Sequence, residues 1–228
     1  MDDITFALKF EEVAALVKAH LETAPGCHDF DHTMRVFRNA EMLLKEEKNA
    51  DVRIVKLAAI LHDIARPEEM ASKGTCCHAE QGAVEAAVIL KNGGFDEVLI
   101  KKVSGCVLKH RYRGRFQPET LEERIIYDAD KLDSIGAVGI GRAFHFAGRE
   151  NARLHNTEHE AVNSAAYSRE DSAYREYLVK LRHVEEKMLT GAGRRIAHGR
   201  SKFMHRFFEQ LNNEIYGEIR ESGVRRQE

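Results

Sequence analysis

The stretch KLAAILHDIARPE, residues 56–68, decides the fold. Its apolar residues run from Leu57 to Leu61 without a polar break, which predicts a helix that is buried on most of its surface. His62 and Asp63 follow directly, and Pro67 predicts that the helix ends near this point. Burying an imidazole and a carboxylate costs free energy unless both groups are paired or bind a metal ion. The pair is therefore a candidate for metal binding, although a histidine that caps a helix beside a surface aspartate would give the same dipeptide.

The rest of the chain shows helical periodicity, which predicts an all-α fold. Apolar residues three and four positions apart predict a first helix that ends near Leu21. Asp51 is a predicted N-cap for the helix of the opening stretch, and Thr120 with Glu123 predicts a capping box for the helix that carries IIYDADKLD. The other predicted helices span residues 31–48, 76–91, 95–109, 171–188 and 193–216.

Three segments depart from this pattern. Glycines at positions 136, 139 and 141 predict a tight passage from one helix to the next. Residues 148–168 are polar and rich in Asn, His and Glu, so we expect an irregular excursion or a lid there. The tail 217–228 is charged, and we expect it to fray.

Composition favours one helical domain over residues 1–228. The 43% of hydrophobic residues are enough for a core, and the 3 prolines leave room for long helices. The formal net charge of −2 calls for neither a nucleic-acid polymer nor an anionic membrane as a partner. We leave open whether the chain forms a homo-oligomer.

We expect a reduced, cytoplasmic protein. The 4 cysteines include no C-x-x-C pair, and the start MDDITFALKF lacks the basic and apolar regions of a signal peptide. The longest apolar run is far shorter than the roughly 20 residues of a membrane-spanning helix.

Two further residues extend the candidate metal site. His32 opens a helix in the string HDFDHTMRV, and Asp130 follows a hydrophobic stretch that must itself be buried. Together with His62 and Asp63 they form a mixed set of imidazoles and carboxylates. Such a set suits a divalent ion, with Mn as the first expectation and Mg, Co, Ni, Fe or Zn as alternatives. Four protein ligands leave positions open for water and substrate, which is typical of a catalytic site.

In these motifs the sequence resembles the HD-domain metal-dependent phosphohydrolases, in their small stand-alone prokaryotic branch. The matching strings are HDFDHTMRV, AAILHDIARPE and DADKLDSIGAVGIGRAF, within a motif core at residues 26–146. The likeness continues more weakly into the C-terminal helices at 171–216. The resemblance implies an all-α fold and a first metal ion held by His32, His62, Asp63 and Asp130.

Some members of that family hold a second metal, bridged by the aspartate of the His-Asp pair. His78 and His110 lie in the corresponding intervals of this chain. The resemblance thus implies either one ion or two. With one ion, these histidines would contact substrate phosphate, order the site or steady the leaving oxygen.

Cations must surround a phosphoryl group whose negative charge spreads in the transition state. The candidates are Arg35, one turn after His32, Lys131, next to Asp130, and Arg66, after the His-Asp pair. Each of them could instead be a surface charge or part of an internal ion pair. Asp63 is the candidate to orient the attacking water.

Other residues near the motifs have weaker claims. Asp133 is expected to hold a ligand histidine or Lys131 in place. Glu68 and Glu69 could act as a base, but two glutamates after a proline more often start a helix. The basic residues around His110, of which Arg111 is the nearest, could bind a nucleotide. They could equally form an exposed loop. The basic residues of this segment are Lys109, Arg111, Arg113 and Arg115, and they alternate with Tyr112 and Phe116.

The resemblance implies hydrolysis of a small phosphorylated substrate, with a nucleotide as the leading expectation. Related stand-alone proteins are nucleoside triphosphate pyrophosphohydrolases and nucleotidases. One alternative is a phosphodiesterase acting on a cyclic or signalling nucleotide, although the chain lacks the GYP tripeptide of the cyclic-dinucleotide branch. Another is a non-catalytic metal protein that binds a nucleotide, which the four intact ligands disfavour.

Overall fold

The structure, a computed structural model, describes residues 1–22, 29–72, 75–111 and 115–217. Within these ranges all regular secondary structure is helical, as predicted. The helices are α1 (Asp3–Leu21), α2 (Phe30–Leu44), α3 (Val52–Leu61), α4 (Arg66–Ala71), α5 (His78–Asn92), α6 (Glu97–Lys109), α7 (Leu121–Leu132), α8 (Gly136–Arg149), α9 (Glu158–Asn163), α10 (Ala173–Val179) and α11 (Gly191–Tyr216).

Helix α3 lies at the centre of the core, as its unbroken apolar run predicts. Its residues from Leu57 to Leu61 are all at most 1% exposed. The helix packs against α2, α6 and α7, while α5 and α6 form a closely packed pair. Because α3 ends at Leu61, His62 and Asp63 lie buried at the point where these helices converge.

Side-chain caps fix where the helices begin. The predicted cap Asp51 accepts hydrogen bonds from the N–H groups of Arg53 and Ile54. The predicted capping box of Thr120 and Glu123 is also present at the start of α7.

The C-terminal helices at 171–216 differ from the prediction in their first part. A single helix over 171–188 is wrong, because α10 ends at Val179 and two single 3₁₀ turns follow at Leu181–His183 and Glu185–Lys187. Val184 is fully buried between these turns. The turns bring the chain back toward α7, where Asp128 binds the backbone that leads into α11.

The predicted end of α2 and the predicted irregular segment 148–168 also differ from the structure. Helix α2 ends at Leu44 rather than near Lys48, and the chain then turns so that Asp51 can cap α3. The segment 148–168, expected to be irregular, contains the short helix α9. That helix begins with a capping box of Thr157 and Glu160. Most of the tail 217–228 lies outside the described residues.

Gly136 and Gly139, in the first turns of α8, form the predicted tight passage. Gly136 has a φ of +74°, a left-handed conformation that a side chain would strain. A Cβ at Gly139 would lie 2.2 Å from the carbonyl oxygen of Ser134. Glycine therefore lets α8 start directly after α7.

Helix α11 packs against α7 and forms hydrogen bonds with its C-terminal end. Arg200 donates hydrogen bonds to the carbonyl oxygen of Leu132 at 2.6 Å and to Asn39 at 2.9 Å. Asn39 in turn donates to the carbonyl oxygen of Ala129. These contacts tie α2, α7 and α11 together on either side of Asp130.

In the part of the chain that the structure describes, no helix combines the length and the apolar character that a membrane crossing requires. Cys76, Cys77 and Cys106 are free thiols.

Asp128 gives a stability prediction. Its buried carboxylate accepts hydrogen bonds from the N–H groups of Leu189 and Thr190 and from the Thr190 hydroxyl, at 2.7–2.9 Å. Asp128→Asn puts an amide N–H₂ against one set of donors, so we expect a loss of about 1–3 kcal/mol in the free energy of unfolding. Urea denaturation measures it. The exposed control Glu209→Gln should change the free energy by less than about 0.5 kcal/mol, and equal midpoints for both variants would contradict the assignment.

Candidate metal centre

Four histidines converge where the helices meet. His32 lies in the first turn of α2, His62 follows the last residue of α3, His78 begins α5 and His110 follows α6. All four are at most 2% exposed. The two histidines of the predicted first site and the two of the predicted second site thus occupy one buried cluster.

Two of the rings are oriented by their own helices. The Nδ1 atom of His62 lies 2.9 Å from the carbonyl oxygen of Ala59, and that of His110 lies 2.6 Å from the carbonyl oxygen of Val107. A carbonyl oxygen only accepts, so Nδ1 is the donor in both rings. In the neutral ring this places the lone pair on Nε2, which faces the cluster.

The other two rings are oriented by carboxylates. Nδ1 of His32 donates to Asp133 at 2.7 Å, and Nδ1 of His78 lies 2.9 Å from Glu69. Carboxylates that hold a ligand imidazole in this way fix its tautomer and raise its basicity. Asp133 therefore holds the His32 ring, and Glu69 contacts His78 as well as lying in the first turn of α4.

Asp63 lies between the two histidine pairs. Its Oδ2 is 3.5 Å from Nε2 of His32 and 3.7 Å from that of His62. Its Oδ1 is 3.4 Å from Nε2 of His110 and 3.6 Å from that of His78. Each oxygen of this 1% exposed carboxylate thus faces one pair.

Within this cluster there are two groups of potential ligand atoms, each with its atoms within 4.8 Å of one another. The first comprises His32, His62 and Asp130, and the second comprises Asp63, His78 and His110. Within the pairs, the Nε2 atoms are only 3.2 and 3.3 Å apart. Lone pairs at that distance repel, and a proton or a metal ion between them removes the repulsion. Imidazole nitrogens and carboxylate oxygens in this arrangement fit a divalent first-row ion.

The charge states of the histidines differ with their neighbours. Burial lowers the pKa of His62 to about 4, although Asp63 opposes the shift, so this ring is neutral near pH 7. Burial also lowers the pKa of His78. Burial acts in the same sense on His32, but hydrogen bonds to Asp133 and Asp63 outweigh it and raise its pKa.

Asp130 is ionised in spite of its burial. Burial alone would raise its pKa, but Lys131 and the nearby histidines hold the pKa well below its usual value. Lys131 donates to Asp130 at 2.5 Å and to the carbonyl oxygen of His110 at 3.1 Å. Lys131 therefore lies at the site, beside a carboxylate that can ligate metal.

Arg35, a predicted substrate contact, is engaged elsewhere. Its guanidinium donates to both oxygens of Asp133, at 2.7 and 3.2 Å. Arg142 of α8 donates to the same carboxylate at 2.6 Å. The sequence analysis did not identify Arg142, because its distance along the chain from Asp133 does not reveal the direction of its side chain. Its position in the string GIGRAF was the only available signal.

Arg66 lies at the edge of the cluster. It donates to Asp63 at 3.3 Å and to Glu69 at 2.5 Å. Glu69 thereby connects Arg66 with His78. Burial would raise the pKa of Glu69, but His78 and Arg66 outweigh this effect and lower that pKa to about 2.

The basic residues around His110 are partly engaged in ion pairs. Lys109 pairs with Glu119 and Glu123, and Arg115 pairs with Glu80. Arg111 donates to the sulfur of Cys77 and has one nitrogen 3.6 Å from Glu69. Tyr112 and Arg113 lie outside the described residues.

The sequence is similar to a known protein family and to a curated bacterial protein. A family model described as HD domain matches residues 29–135, a range that includes all six potential metal ligands. The YpgQ protein of Bacillus subtilis (strain 168) is 30% identical over 208 residues, which are 91% of this chain and 94% of YpgQ.

Solved structures extend the likeness to the fold. YpgQ in complex with ADP has a TM-score of 0.71 at 28% identity, covering 93% of this chain and 98% of that one. A predicted HD-superfamily hydrolase from an uncultured Thermotogales bacterium has a TM-score of 0.64 at 29% identity, covering 90% and 92%. An HD-superfamily hydrolase from Bacillus thuringiensis has a TM-score of 0.71 at 25% identity, covering 92% and 98%.

Asp133 gives a test of how His32 is oriented. Asp133→Asn keeps the shape of the side chain but removes the charge that fixes the His32 tautomer. We expect manganese affinity, measured by calorimetry on metal-free protein, to fall about 10- to 100-fold. Asp31→Asn is the matched control, because Asp31 is exposed and adjacent to His32 in the chain. Equal affinity in the two variants, with both folded by circular dichroism, would refute the role of Asp133.

Proposed function

Since this chain belongs to the HD-domain family, we propose that it is a metal-dependent phosphohydrolase that acts on a nucleotide. The family and the HD-superfamily hydrolase fold support a metal-dependent hydrolase. The observation that carries the phosphate-bond activity is the position of Asp63, a buried carboxylate with one histidine pair facing each of its oxygens.

The proposed ligands divide into two sets. His32, His62, Asp130 and Oδ2 of Asp63 would hold a first ion. Oδ1 of Asp63 with His78 and His110 would hold a second. Divalent ions held by these residues would supply hydroxide near neutral pH and would offset negative charge on the phosphoryl oxygens.

The two sets are unequal, which bears on the choice between one ion and two. The first set has two carboxylates, whereas Asp63 is the only carboxylate in the second. We propose that the first site binds more tightly and that the second fills at higher metal concentration. If only the first fills, His78 and His110 remain available to hold a proton near the leaving oxygen.

The cations then divide by what they contact. Lys131 and Arg66 lie beside the ligand carboxylates and are proposed to face the substrate phosphate. Arg111 is 41% exposed in its side chain and is proposed to contact the outer part of the substrate. Arg35, committed to Asp133, is proposed to act by positioning His32.

A nucleotide is the proposed substrate because YpgQ, the relative described above, has been solved in complex with ADP. Phosphate recognition by Lys131, Arg66 and Arg111 agrees with a substrate that carries several phosphates. We propose manganese as the ion, since carboxylate and imidazole ligands together suit it, and the cytoplasm as the location, where thiols such as Cys76 and Cys77 stay reduced.

A substrate screen tests the proposed activity. Metal-free protein receives Mn, Co, Ni, Mg or Zn singly, and a nucleotide panel is assayed for phosphate, pyrophosphate and nucleoside. We expect manganese to support hydrolysis. Released pyrophosphate identifies a triphosphate pyrophosphohydrolase, and released nucleoside identifies a nucleotidase.

Asp63→Ala and His62→Ala should each abolish activity and most metal binding, because each removes a ligand of the first site. Folding is checked by circular dichroism. Activity that survives both substitutions, or no hydrolysis with any metal and substrate, would contradict the proposed function.

Glu69 tests the second ion separately. Glu69→Gln removes the charge that holds Nδ1 of His78, so we expect the weaker metal-binding step to lose about 10- to 100-fold in affinity while the tighter step is retained. Titration calorimetry with manganese measures both steps. Glu80→Gln is the matched control, because Glu80 is exposed and pairs with Arg115 outside the cluster. A single binding step in the wild-type protein would refute the second site.

A further inference from the structure

A third group of potential metal ligands lies outside the metal centre. It consists of His20 in the last turn of α1, Glu68 in the first turn of α4 and Glu85 in α5. One potential ligand atom of each residue lies within 4.8 Å of those of the other two. These positions are far apart in the chain, so only the fold brings them together. We name the three residues the outer cluster.

The spacing within the outer cluster suits a metal ion better than a direct hydrogen bond. Nε2 of His20 lies 3.5 Å from Oε1 of Glu68, whereas an N–H···O hydrogen bond usually measures about 2.7–3.2 Å. Two ligand atoms that each lie about 2.0–2.1 Å from a tetrahedral zinc ion are about 3.4 Å from one another. The observed separation therefore matches two ligands of one ion.

The second oxygen of Glu68 is buried and has no hydrogen-bond partner among the described residues. This atom, Oε2, is shielded from solvent, although the side chain as a whole is 40% exposed. A buried carboxylate oxygen without a partner costs the free energy of its lost hydration. A cation bound to Glu68 would offset that cost.

The two carboxylates of the outer cluster also lack a basic side chain to balance their charge. Among the described residues, the ion pairs of Glu68 and Glu85 include no lysine or arginine. Glu85 accepts a hydrogen bond from the neutral amide of Gln81 at 2.8 Å. A proton on His20 would supply one positive charge, whereas a divalent cation supplies the two that balance both carboxylates.

Helix α4 would gain support from such a cation. It has six residues, none of them buried, and no side chain caps its N-terminus. A helix this short is not stable by itself. Its Arg66 and Glu69 nevertheless contact Asp63 and His78 of the metal centre. A cation held by Glu68 would fasten this helix to α1 and α5.

We propose that the outer cluster binds a divalent first-row cation, which links α4 to α1 and α5. Such ions accept one imidazole and two carboxylates as ligands, and the partial exposure of His20 and Glu68 leaves positions for water. The outer cluster shares no residue with the six potential ligands of the metal centre, so the inference is independent of the proposed function.

Zinc binding tests the outer cluster directly. Metal-free protein is dialysed against about 10 µM free zinc, at which a site with a dissociation constant of about 1 µM is nearly full. Metal analysis then gives the zinc bound per chain. We expect His20→Ala and Glu85→Gln each to bind one equivalent less than the wild-type protein, because each removes a ligand of the outer cluster.

His198→Ala is the matched control. His198 also lies beside a glutamate, Glu185 at 2.9 Å, but it belongs to none of the groups of three potential ligands. It should bind as much zinc as the wild-type protein, and circular dichroism checks that all variants fold. Equal zinc in the wild-type protein, His20→Ala and Glu85→Gln would overturn the proposal, and the pair of His20 and Glu68 would then be an ordinary ion pair.

Hydrogen exchange tests the link to α4. With zinc bound, the amides of Arg66–Ala71 should exchange at least about threefold more slowly in the wild-type protein than in His20→Ala. Both proteins keep the ligands of the metal centre, so zinc bound there does not produce this difference. Equal exchange rates in the two zinc-loaded proteins would refute the proposed link.

Discussion

The burial of Asp63 is the constraint on which the rest of the structure depends. A carboxylate that is 1% exposed in the middle of a helical core costs several kcal/mol unless charged or hydrogen-bonding partners surround it. Here the partners are four imidazoles, and each imidazole needs an acceptor of its own to face the carboxylate in the correct orientation. The layer behind the histidines, formed by two backbone carbonyls, Asp133 and Glu69, therefore exists because Asp63 is buried.

The cluster has an approximate internal symmetry that the two metal sets reflect. In each pair, one histidine lies near the start of its helix and is held by a carboxylate that an arginine contacts. The other lies just past the end of its helix and is held by a carbonyl three residues earlier. The ring centroids are 5.2 Å apart and the ring planes meet at 64° in both pairs. Asp130 breaks the symmetry, since α7 supplies it to one side only, and this difference makes the two sides chemically unequal.

The sequence predicted the features whose signals are local. The caps at Asp51 and Thr120 and the unbroken apolar run of α3 follow from neighbouring residues. Ordered motifs made His32, His62, Asp63 and Asp130 candidates, whereas His78 and His110 came only from the family resemblance. What it did not predict depends on the direction of side chains in space. Arg35 and Arg142 meet at Asp133 from separate helices, and no spacing along the chain indicates this. The helix predicted over 171–188 is wrong for a similar reason: helical periodicity continues there, but the distant carboxylate of Asp128 binds the backbone at Leu189 and Thr190.

The brace that α11 places behind α7 also has a consequence for the order of assembly. Arg200 and Thr190 lie later in the chain than all six potential ligands, and they hold the helix that supplies Asp130. During synthesis from the N-terminus, the histidine pairs can form while α11 is still inside the ribosome, but the helix with the last carboxylate lacks its support. The centre therefore gains its full support only after α11 has left the ribosome.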